Sequence, residues 1–240
     1  MKNKKDEYLK FIKENVNSLT NKQIAEALNI STSYVNTLKR KNNIASKISY
    51  EINEIQNQII LSGLLGDGNL KKNGKYNYYY RECHSIKESD YLHWKFEQLK
   101  PLTNNCSITY QKPRRPTQNP QETFNTKTLK ELIPYSKMSK SEIILNLNEL
   151  GLLLYILDDG WKHEHNTKTP SYNICLSVHS LSIEEKELLK KQYENILGIE
   201  SNLICSDLNT LSFPKTENEK FIEIINKYKM SELDVVIKKF

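Results

Sequence analysis

The sequence predicts an α+β protein in which a small all-α domain precedes two similar halves of helices and antiparallel strands. Two apolar runs indicate the duplication: residues 60–68 end in Gly-Asp-Gly, and residues 152–160 end in Asp-Asp-Gly. The acidic residues Asp67 and Asp159 are 92 positions apart (159 − 67), about the size of one small domain. A similar order of helices and strands is predicted after each run. Because the pattern occurs only twice, it indicates an internal duplication and not a solenoid.

Composition limits the classes of partner and compartment. The 240 residues can form one to three small domains. The chain has 35 Lys and Arg against 29 Asp and Glu, so its net charge is +6 and its pI is near 8.9, which favours a polyanionic partner. We expect no membrane partner, because no apolar run reaches the length of a membrane span and residues 1–7 lack the apolar core of a signal peptide. The four cysteines include no Cys-x-x-Cys pair, which predicts reduced thiols and a cytoplasmic protein of a bacterium or phage, or an organellar one.

Residues 1–45 are predicted to form the small all-α domain. Apolar residues recur at helical spacing in 8–16, residues 20–21 and 31–32 can cap two further helices, and Asn29 between them suits a left-handed turn. This pattern resembles a helix-turn-helix, whose last helix enters the major groove of DNA. The DNA contacts predicted for this helix are Ser33, Tyr34, Asn36, Lys39 and Arg40. An ordinary three-helix bundle or a protein-interaction module is the alternative.

After a linker at residues 46–55, the first half is predicted to cover residues 56–138. Its elements are the apolar helix that ends at Asp67, a basic turn region at 69–75, a strand at 76–83, a helix at 87–100, strands at 107–112 and 123–127, and a short helix at 129–133. Aromatic residues favour the first strand. Ser85 can cap the long helix, and Pro101 and Pro134 end the two helices.

The second half, residues 139–240, is predicted to repeat this order. Its elements are a helix at 142–157, a loop at 161–166, a strand at 171–178, a helix at 183–197, strands at 201–205 and 210–213, and terminal helices. His84-Ser85 and His179-Ser180 stand at matched places before the long helix of each half. We expect structural roles for both histidines.

The two acidic residues are predicted to lie at helix C-termini that pack together. The small residues Ser62, Gly63 and Gly66 would let the first helix approach the second closely. Each helix end leaves unpaired carbonyls and about half a negative charge. Asp67 and Asp159 at these ends would make a site for Mg²⁺, which prefers oxygen ligands. A single Asp-Gly pair is more typical of a turn, but its recurrence after two matched apolar helices favours the metal site.

Residues 63–68 and 155–160, with residues 84–95 behind the first, resemble the LAGLIDADG homing endonuclease family in its single-chain form with two motifs. The resemblance covers both halves. Leu65 and Leu157 depart from the family motif at a position of the helix interface that binds no metal. The resemblance implies two pseudo-symmetric αββαββα-type halves that form a saddle of antiparallel strands.

The resemblance also implies a site and a reaction. The implied metal ligands are Asp67 and Asp159 with the backbone carbonyls of Gly66 and Asp158, which would hold two or three Mg²⁺ ions. The implied catalytic residues are the metal ligands Asp67 and Asp159 together with Lys127 and Lys215. The two lysines are included because basic residues line the active site in this family. The reaction would be hydrolysis of a phosphodiester in each strand of a DNA duplex, leaving 3′ overhangs.

Strands on one face of the saddle would read base edges, and basic loops would hold phosphates. The contacts predicted in the two halves are Lys71, Lys72, Tyr78, Tyr80, Arg81, Lys112, Arg114, Arg115, Tyr172 and Asn173. We therefore predict a monomeric, site-specific endonuclease that binds a long target in double-stranded DNA. The alternatives are a maturase that binds its host intron RNA, and a helix-turn-helix regulator that binds DNA without cutting it. The presence of both acidic residues argues against the regulator.

Overall fold

The computed structural model describes residues 2–42, 44, 49–74, 77–103, 107–113, 115, 119–165, 171–203 and 209–240. The chain divides into two compact units, Met1–Glu51 and Ile52–Phe240. The first is all-α, and the second combines helices with two antiparallel sheets, which confirms the predicted α+β class. Across the described ranges, no helix combines the length and the hydropathy needed to cross a bilayer.

The first unit consists of the helices α1 (Lys2–Asn15), α2 (Asn21–Leu28) and α3 (Thr32–Lys41). Thr20 and Ser31 cap α2 and α3, because their side chains accept hydrogen bonds from the backbone N–H groups of Gln23 and Tyr34. Asn29 adopts φ 52 between the two helices, a left-handed conformation that asparagine tolerates. These caps and this turn confirm the predicted helix boundaries. The buried core of the unit comprises Ile12, Ile24, Ala25, Val35 and Leu38.

The second unit contains two antiparallel sheets with the same strand order. The first is built from β1 (Gly68–Asn73), β2 (Asn77–Ser85), β3 (Thr109–Gln111) and β4 (Gln121–Asn125). The second is built from β5 (Gly160–His165), β6 (Ser171–Ser177), β7 (Asn202–Leu203) and β8 (Thr210–Phe213). The spatial orders are β1-β2-β4-β3 and β5-β6-β8-β7. The equal order is the structural form of the duplication predicted from the two apolar runs.

The structure differs from the prediction at the first strand of each sheet. β1 and β5 cover residues predicted as a basic turn region and a loop. Each has a single large apolar residue, Leu70 or Trp161, so neither shows the alternation of a half-buried strand. Each is nevertheless paired over six positions, with β2 and β6 respectively. Backbone pairing with a neighbour therefore makes these segments strands, and their own composition does not.

The helices that the structure describes in this unit are α4 (Glu54–Leu65), α5 (Ser89–Leu99), α6 (Lys140–Leu145), α7 (Glu149–Asp159), α8 (Ile183–Leu197), α9 (Asn218–Lys227) and α10 (Asp234–Lys239). The single helix predicted over 142–157 is interrupted, because Asn148 caps α7 by accepting a hydrogen bond from the Gly151 N–H. The helix predicted at 129–133 is only a 3₁₀ turn, Lys130–Leu132. Pro134, two residues beyond Leu132, cannot donate the hydrogen bond that would extend it.

The helices α4 and α7 pack against each other in the second unit. Residues 150–157 of α7 are all buried. Near the start of α7, a Cβ at Gly151 would overlap the Gln58 carboxamide of α4. Near its end, a Cβ at Gly66 would stand 2.7 Å from the Cβ of Asp158. The two helices therefore approach closely at both ends, and Gly66 is needed where α4 stops.

One of the other small residues predicted at this contact faces a different neighbour. Gly63 faces β2, where an added Cβ would overlap the Tyr80 hydroxyl. Ser62 is buried between Gln58 and Gly66 on the face of α4 that meets α7, and it donates a hydrogen bond to the Ile59 carbonyl at 3.2 Å within its own helix. A small residue permits close packing against any neighbour, so sequence alone does not say whether that neighbour is a helix or a strand.

Candidate metal centre and DNA-facing surfaces

The C-terminal ends of α4 and α7 bring three acidic residues together. Asp67 follows Gly66, the residue that ends α4, and Asp158 and Asp159 are the last two residues of α7. Gly66 packs directly on the Asp158 side chain. Both helices therefore direct the negative end of their dipole, with its unpaired carbonyls, toward the same acidic cluster.

Asp67 and Asp159 have raised pKa values. Burial is the main cause for both, and the charge of Asp158 adds to it. The pKa of Asp67 rises from 3.8 to about 7, and that of Asp159 rises from 3.8 to about 6. Neighbouring carboxylates with raised pKa values in a partly buried position are typical of a functional site. A bound cation would favour their ionised forms and reverse the shift.

The donor atoms here fit a divalent cation. A carboxylate oxygen from each of Asp67 and Asp158 and a ring nitrogen of His84 lie within 4.8 Å of one another. Asp158 Oδ2 is buried, and no group in the described part of the chain hydrogen-bonds to it. Carboxylate and carbonyl oxygens are the ligands that Mg²⁺ prefers. The acidic cluster and the helix-end carbonyls supply both kinds.

A buried network ties Asp158, in the second half, to residues of the first half. Its Oδ1 accepts hydrogen bonds from the Tyr91 hydroxyl at 2.8 Å and from Lys95 Nζ at 2.6 Å, both on α5. Lys95 also pairs with Glu82 on β2, and the other Glu82 oxygen accepts a hydrogen bond from the Tyr80 hydroxyl at 2.6 Å. All five side chains are buried. The Asp158 side chain is therefore fixed by groups from the opposite half.

The network keeps its charges although it is buried. Burial disfavours the Glu82 carboxylate, but Lys95 and His84 hold its pKa down at about 2. Burial also disfavours the Lys95 ammonium, but Asp158 and Glu82 hold its pKa above the ordinary value. For His84, the hydrogen bond to Glu82 and the nearby Glu88 carboxylate outweigh burial and raise the pKa to about 10. His84 is therefore an imidazolium at neutral pH, 3.4 Å from Asp67. In that state it is a counter-ion to Asp67.

The two histidines predicted at matched places are not equivalent. His84 lies two residues beyond Glu82, which pairs with Gly68. His179 lies three residues beyond Leu176, which pairs with Gly160. A shift of one residue turns a side chain to the other face of a strand. His84 is accordingly buried, whereas His179 is exposed, with Nδ1 2.8 Å from Ser177 Oγ.

The structure does not bring Lys127 to the acidic cluster. Phe124 of β4 aligns with Gly68 across β2, and Lys127 lies three residues further along the chain, about 10 Å at the rise of a strand. Its Nζ donates to the Pro101 carbonyl at 3.0 Å, beyond the C-terminal end of α5. This position does not support the predicted catalytic role.

Lys215 is displaced in the same way in the second half. Leu211 of β8 aligns with Gly160 across β6, and Lys215 is exposed four residues further along. Its predicted catalytic role is likewise not supported. A lysine that does reach the end of α7 is Lys239 of α10, whose Nζ donates to the Asp158 carbonyl at 3.2 Å. Nothing in the sequence near Lys239 indicates this contact.

Strand register decides which predicted DNA contacts of the first sheet face away from the helices. Tyr80, Glu82 and His84 of β2 are buried against the helices, so the residues that alternate with them face outward. Arg81 lies on this outer face, and Lys71 joins it by pairing with Tyr79. The positions of Arg81 and Lys71 agree with the prediction, whereas Tyr80 is wrong because it is fully buried. Tyr79, which was not predicted, is partly exposed on the outer face.

The same alternation applies to the second sheet. Ile174 of β6 is buried against the helices, so Asn173 faces outward, in agreement with the prediction. Tyr172 shares the inner face, and its hydroxyl donates to a backbone carbonyl, so its predicted role in base reading is wrong. On β5, Trp161 and His163 share the outer face, because His163 pairs with Asn173. Neither residue was predicted.

The other predicted contacts of the two halves differ in exposure. Tyr78 pairs with Lys72 in the inward register of β2, where Tyr78 is partly buried and Lys72 is exposed. Tyr78 therefore does not lie on the outer face, and its predicted role in base reading is wrong. Lys112 and Arg115 are exposed. Arg114 lies outside the described residues.

Most of the DNA contacts predicted in the first unit are exposed. The residues found exposed on α3 are Ser33, Tyr34, Asn36 and Arg40. Lys39 is wrong as a phosphate contact, because it is only 9% exposed and donates to Asn21 Oδ1 at 2.8 Å. The Asn21 amide in turn donates to Asn36 Oδ1 at 2.6 Å. Because a lysine only donates, this chain of bonds fixes the orientation of both amides.

The residues that the prediction missed left partial signals in the sequence. Tyr91 and Lys95 are four positions apart, so they share one face of α5, and a lysine in line with an apolar stripe departs from the amphipathic pattern. Glu82 has the inward parity of Tyr80, which is unusual for a carboxylate. Their convergence on Asp158 depends on contact between the halves, and no local pattern contains that information.

Comparison with known proteins agrees with this fold. The sequence profile of the LAGLIDADG DNA endonuclease family matches residues 57–221. Probable intron-encoded endonuclease 1 of Wickerhamomyces canadensis is 29% identical over 123 residues, which are 47% of this chain and 52% of that protein. Protein RecA of Mycolicibacterium chitae is 24% identical over 191 residues, which are 75% of this chain and 45% of that protein. The chain thus spans about half the length of the curated relatives it matches.

A solved structure shows the same fold. The homing endonuclease I-WcaI, bound to its DNA recognition sequence, superimposes with a TM-score of 0.65 at 19% sequence identity. The match covers 80% of this chain and 88% of that one. At this identity the likeness shows the fold and leaves the chemistry to the residues of the site.

Proposed function

We propose, because the chain belongs to the LAGLIDADG DNA endonuclease family, that it is a site-specific endonuclease that cuts double-stranded DNA with divalent metal ions. The observation that carries the proposal is the meeting of Asp67, Asp158 and Asp159 at the ends of two packed helices. Burying like charges together is unfavourable without a compensating cation. The raised pKa values of Asp67 and Asp159 express that strain in the absence of a cation.

The residues that would hold the metal are those of the two helix ends. Asp67 and Asp159 would provide carboxylate ligands, and Gly66 and Asp158 would add their backbone carbonyls, for two or three Mg²⁺ ions. Such ions, when bound, lower the pKa of a water nucleophile and offset the charge of the scissile phosphate. The open Asp158 Oδ2 supports a cation at this place, because a buried carboxylate oxygen without a hydrogen bond is costly unless it binds something.

The remaining residues of the site position these ligands. Tyr91 and Lys95 fix the Asp158 side chain, so the end of α7 is held against the first half. The His84 imidazolium, fixed by Glu82, stands beside Asp67 and offsets part of its charge. Side chains held by such partners keep a reactive geometry without reorganisation.

DNA would lie along the outer faces of the two sheets. Arg81 and Lys71 of the first sheet and Asn173 of the second point to that side, and the net charge of +6 favours a polyanion. Exposed residues of α3 would provide a second, tethered contact that lengthens the target site. Because one chain supplies both halves, we propose that the enzyme acts as a monomer. We also propose that its cuts leave 3′ overhangs.

The test is cleavage of a randomised duplex library with Mg²⁺ by the parent and by Asp67→Asn, Asp159→Asn and Asp6→Asn variants. The parent and Asp6→Asn, which changes an exposed carboxylate of α1, should cut at discrete sites with 3′ overhangs. Asp67→Asn and Asp159→Asn should nick or leave the DNA intact. Enrichment of a bound sequence without any cutting would replace the endonuclease with a DNA-binding regulator. If the library is neither cut nor enriched, intron RNA becomes the ligand to test.

A further inference from the structure

Helix α10 carries a lysine to the C-terminal end of α7. Val235 and Val236 are buried and anchor the helix. Lys239 Nζ donates a hydrogen bond to the Leu157 carbonyl and another, at 3.2 Å, to the Asp158 carbonyl. These are carbonyls of the last turn of α7, which a helix leaves without intrahelical partners.

The Lys239 ammonium lies in the negative field of the acidic cluster. Burial lowers its pKa, and four carboxylates act in the opposite direction, namely those of Glu88, Asp158, Asp67 and Asp159. Lys95 also contacts Asp158, but through the side-chain Oδ1. Lys239 is bound to the backbone oxygen of the same residue, so the two lysines approach Asp158 through different atoms.

We propose that the Lys239 ammonium is an internal substitute for a divalent cation at the end of α7, and that a metal must displace it to bind the Asp158 carbonyl. This inference rests on the metal site of the proposed function. Mg²⁺ binds its oxygen ligands at about 2.0–2.1 Å. An ammonium hydrogen-bonded to the same oxygen would then stand within a few ångströms of the ion, where the two positive charges repel strongly.

The arrangement accounts for how a metal-free protein tolerates this cluster. With Lys239 in place, helix-end carbonyls and nearby carboxylates face a positive charge. Withdrawal of one flexible side chain is enough to open the site, because α10 keeps its anchors at Val235 and Val236. Lys239 therefore lowers metal affinity while it protects the fold in the absence of metal.

Calorimetric titration of the full, DNA-free chain with Mn²⁺ tests the proposal. The variants are Lys239→Met, which keeps most of the apolar stem, and the matched control Lys238→Met. Lys238 is exposed, pairs with Asp234 one turn away, and carries the same charge. We expect Lys239→Met to bind Mn²⁺ about tenfold more tightly than the parent, because a competing charge is gone. Lys238→Met should stay within about twofold, because its charge is screened by water.

The outcomes separate this proposal from the proposed function. If the parent binds Mn²⁺ and Lys239→Met binds no more tightly than Lys238→Met, Lys239 is only a helix cap and the inference fails alone. If neither the parent nor Lys239→Met binds Mn²⁺, the metal site and the proposed function fail with it. Tighter binding by Lys239→Met that Asp67→Asn abolishes in the double variant supports both.

Thermal melting of each variant checks that the fold survives. Lys239→Arg keeps the positive charge and should bind Mn²⁺ with the affinity of the parent. If Lys239→Met unfolds, Lys239→Gln provides a neutral side chain that can still donate to the two carbonyls. Lys239→Gln should then show the gain in affinity, and its failure to do so overturns the proposal.

Discussion

Asp158 is held through one carboxylate oxygen and open at the other. Tyr91 and Lys95 bind Oδ1, while Oδ2 has no hydrogen-bond partner within the described ranges. A carboxylate in this state is both oriented and available, which suits a ligand or a neighbour of one. The stability of this ionised carboxylate depends on Lys95. Without that ammonium, the two buried carboxylates of Asp158 and Glu82 would lose their shared counter-charge.

Lys95→Met should therefore destabilise the metal-free protein by about 3–5 kcal/mol, the usual effect of removing one partner of a buried ion pair. Urea unfolding measures this change. Lys100→Met is the control, because Lys100 pairs with Glu97 near the same helix end but is 61% exposed. That substitution should change stability by no more than about 0.5 kcal/mol. Equal effects of the two substitutions would contradict a buried network.

Asp67→Asn should stabilise the metal-free protein at high pH. The folded-state pKa of Asp67 is raised above 3.8, so this group contributes stability that is fully present below pH 3.8 and lost as pH rises through about 7. Asparagine resembles the protonated acid at every pH. Because Asp67 is partly exposed, we expect a gain at pH 8 of about 1 kcal/mol, or about 2–4 °C in Tm.

The measurement is thermal unfolding of both proteins in EDTA at pH 5 and pH 8. The difference between them should be larger at pH 8. A variant that is less stable than the parent at pH 8 would show that the Asp67 carboxylate is already well compensated without metal.

Asp67 and Asp159 show how much of the site a short sequence motif can predict. Asp67 and Asp159 can be read from the sequence because each ends an apolar run, and the structure places them as expected. Lys127 and Lys215 cannot be placed by sequence, because a position relative to a site depends on the direction in which a strand leaves it. In both halves the strand before the lysine runs away from the helix ends.

At the scale of elements, β2 divides its side chains between two environments. Tyr80 and Glu82 face the helices and Arg81 faces outward. The strand therefore contributes to the buried network with one face and to the candidate DNA surface with the other. Substitution of an outward residue of this strand should accordingly change DNA binding, and substitution of its inward neighbour should change stability.

Arg81→Ala should weaken DNA binding by about 1–3 kcal/mol if Arg81 reads a base, with little change in Tm. Tyr80→Phe should leave DNA binding unchanged and destabilise the fold by about 1–3 kcal/mol, because a buried Glu82 oxygen loses its donor. Fluorescence anisotropy with a target duplex and thermal melting measure the two effects. A loss of DNA affinity in Tyr80→Phe with unchanged Tm would reverse the assignment of faces.

Elements with local signals were predictable and those without were not. Thr20 and Ser31 cap their helices where the sequence places the caps, because capping depends on neighbours a few residues away. The break at Asn148 follows the same rule but lies inside one apolar stretch. The strands β1 and β5 depend on pairing with distant residues, and their polar composition conceals it.

The whole molecule consists of two compact units, each with its own core. The first is a three-helix unit of 51 residues, Met1–Glu51, and the second holds both sheets and the acidic cluster. The duplication predicted from two short motifs extends to the order of every strand in both sheets. The buried charges do not follow the duplication, since Leu176 stands at the register position of Glu82.

Removal of residues 1–51 should leave metal-dependent cleavage and the main thermal transition in place. It should weaken binding to a long target by about tenfold or more, because a tethered second contact is lost. Competition binding with long and short duplexes measures this effect. Arg40→Ala in the full chain should give part of the same loss, and full affinity of the truncated protein would exclude the first unit from DNA binding.

The link between Asp158 and Lys95 also limits how such proteins are assembled from parts. A chimera that joins residues 52–138 to the second half of a relative would place two buried charges, on Lys95 and Glu82, opposite a foreign residue. If that residue is neutral, the graft loses a counter-charge even when all helices and strands match. The two halves therefore need to be exchanged or redesigned as a pair. Position 158 belongs to the second half in sequence but to the interior of the first half in its contacts.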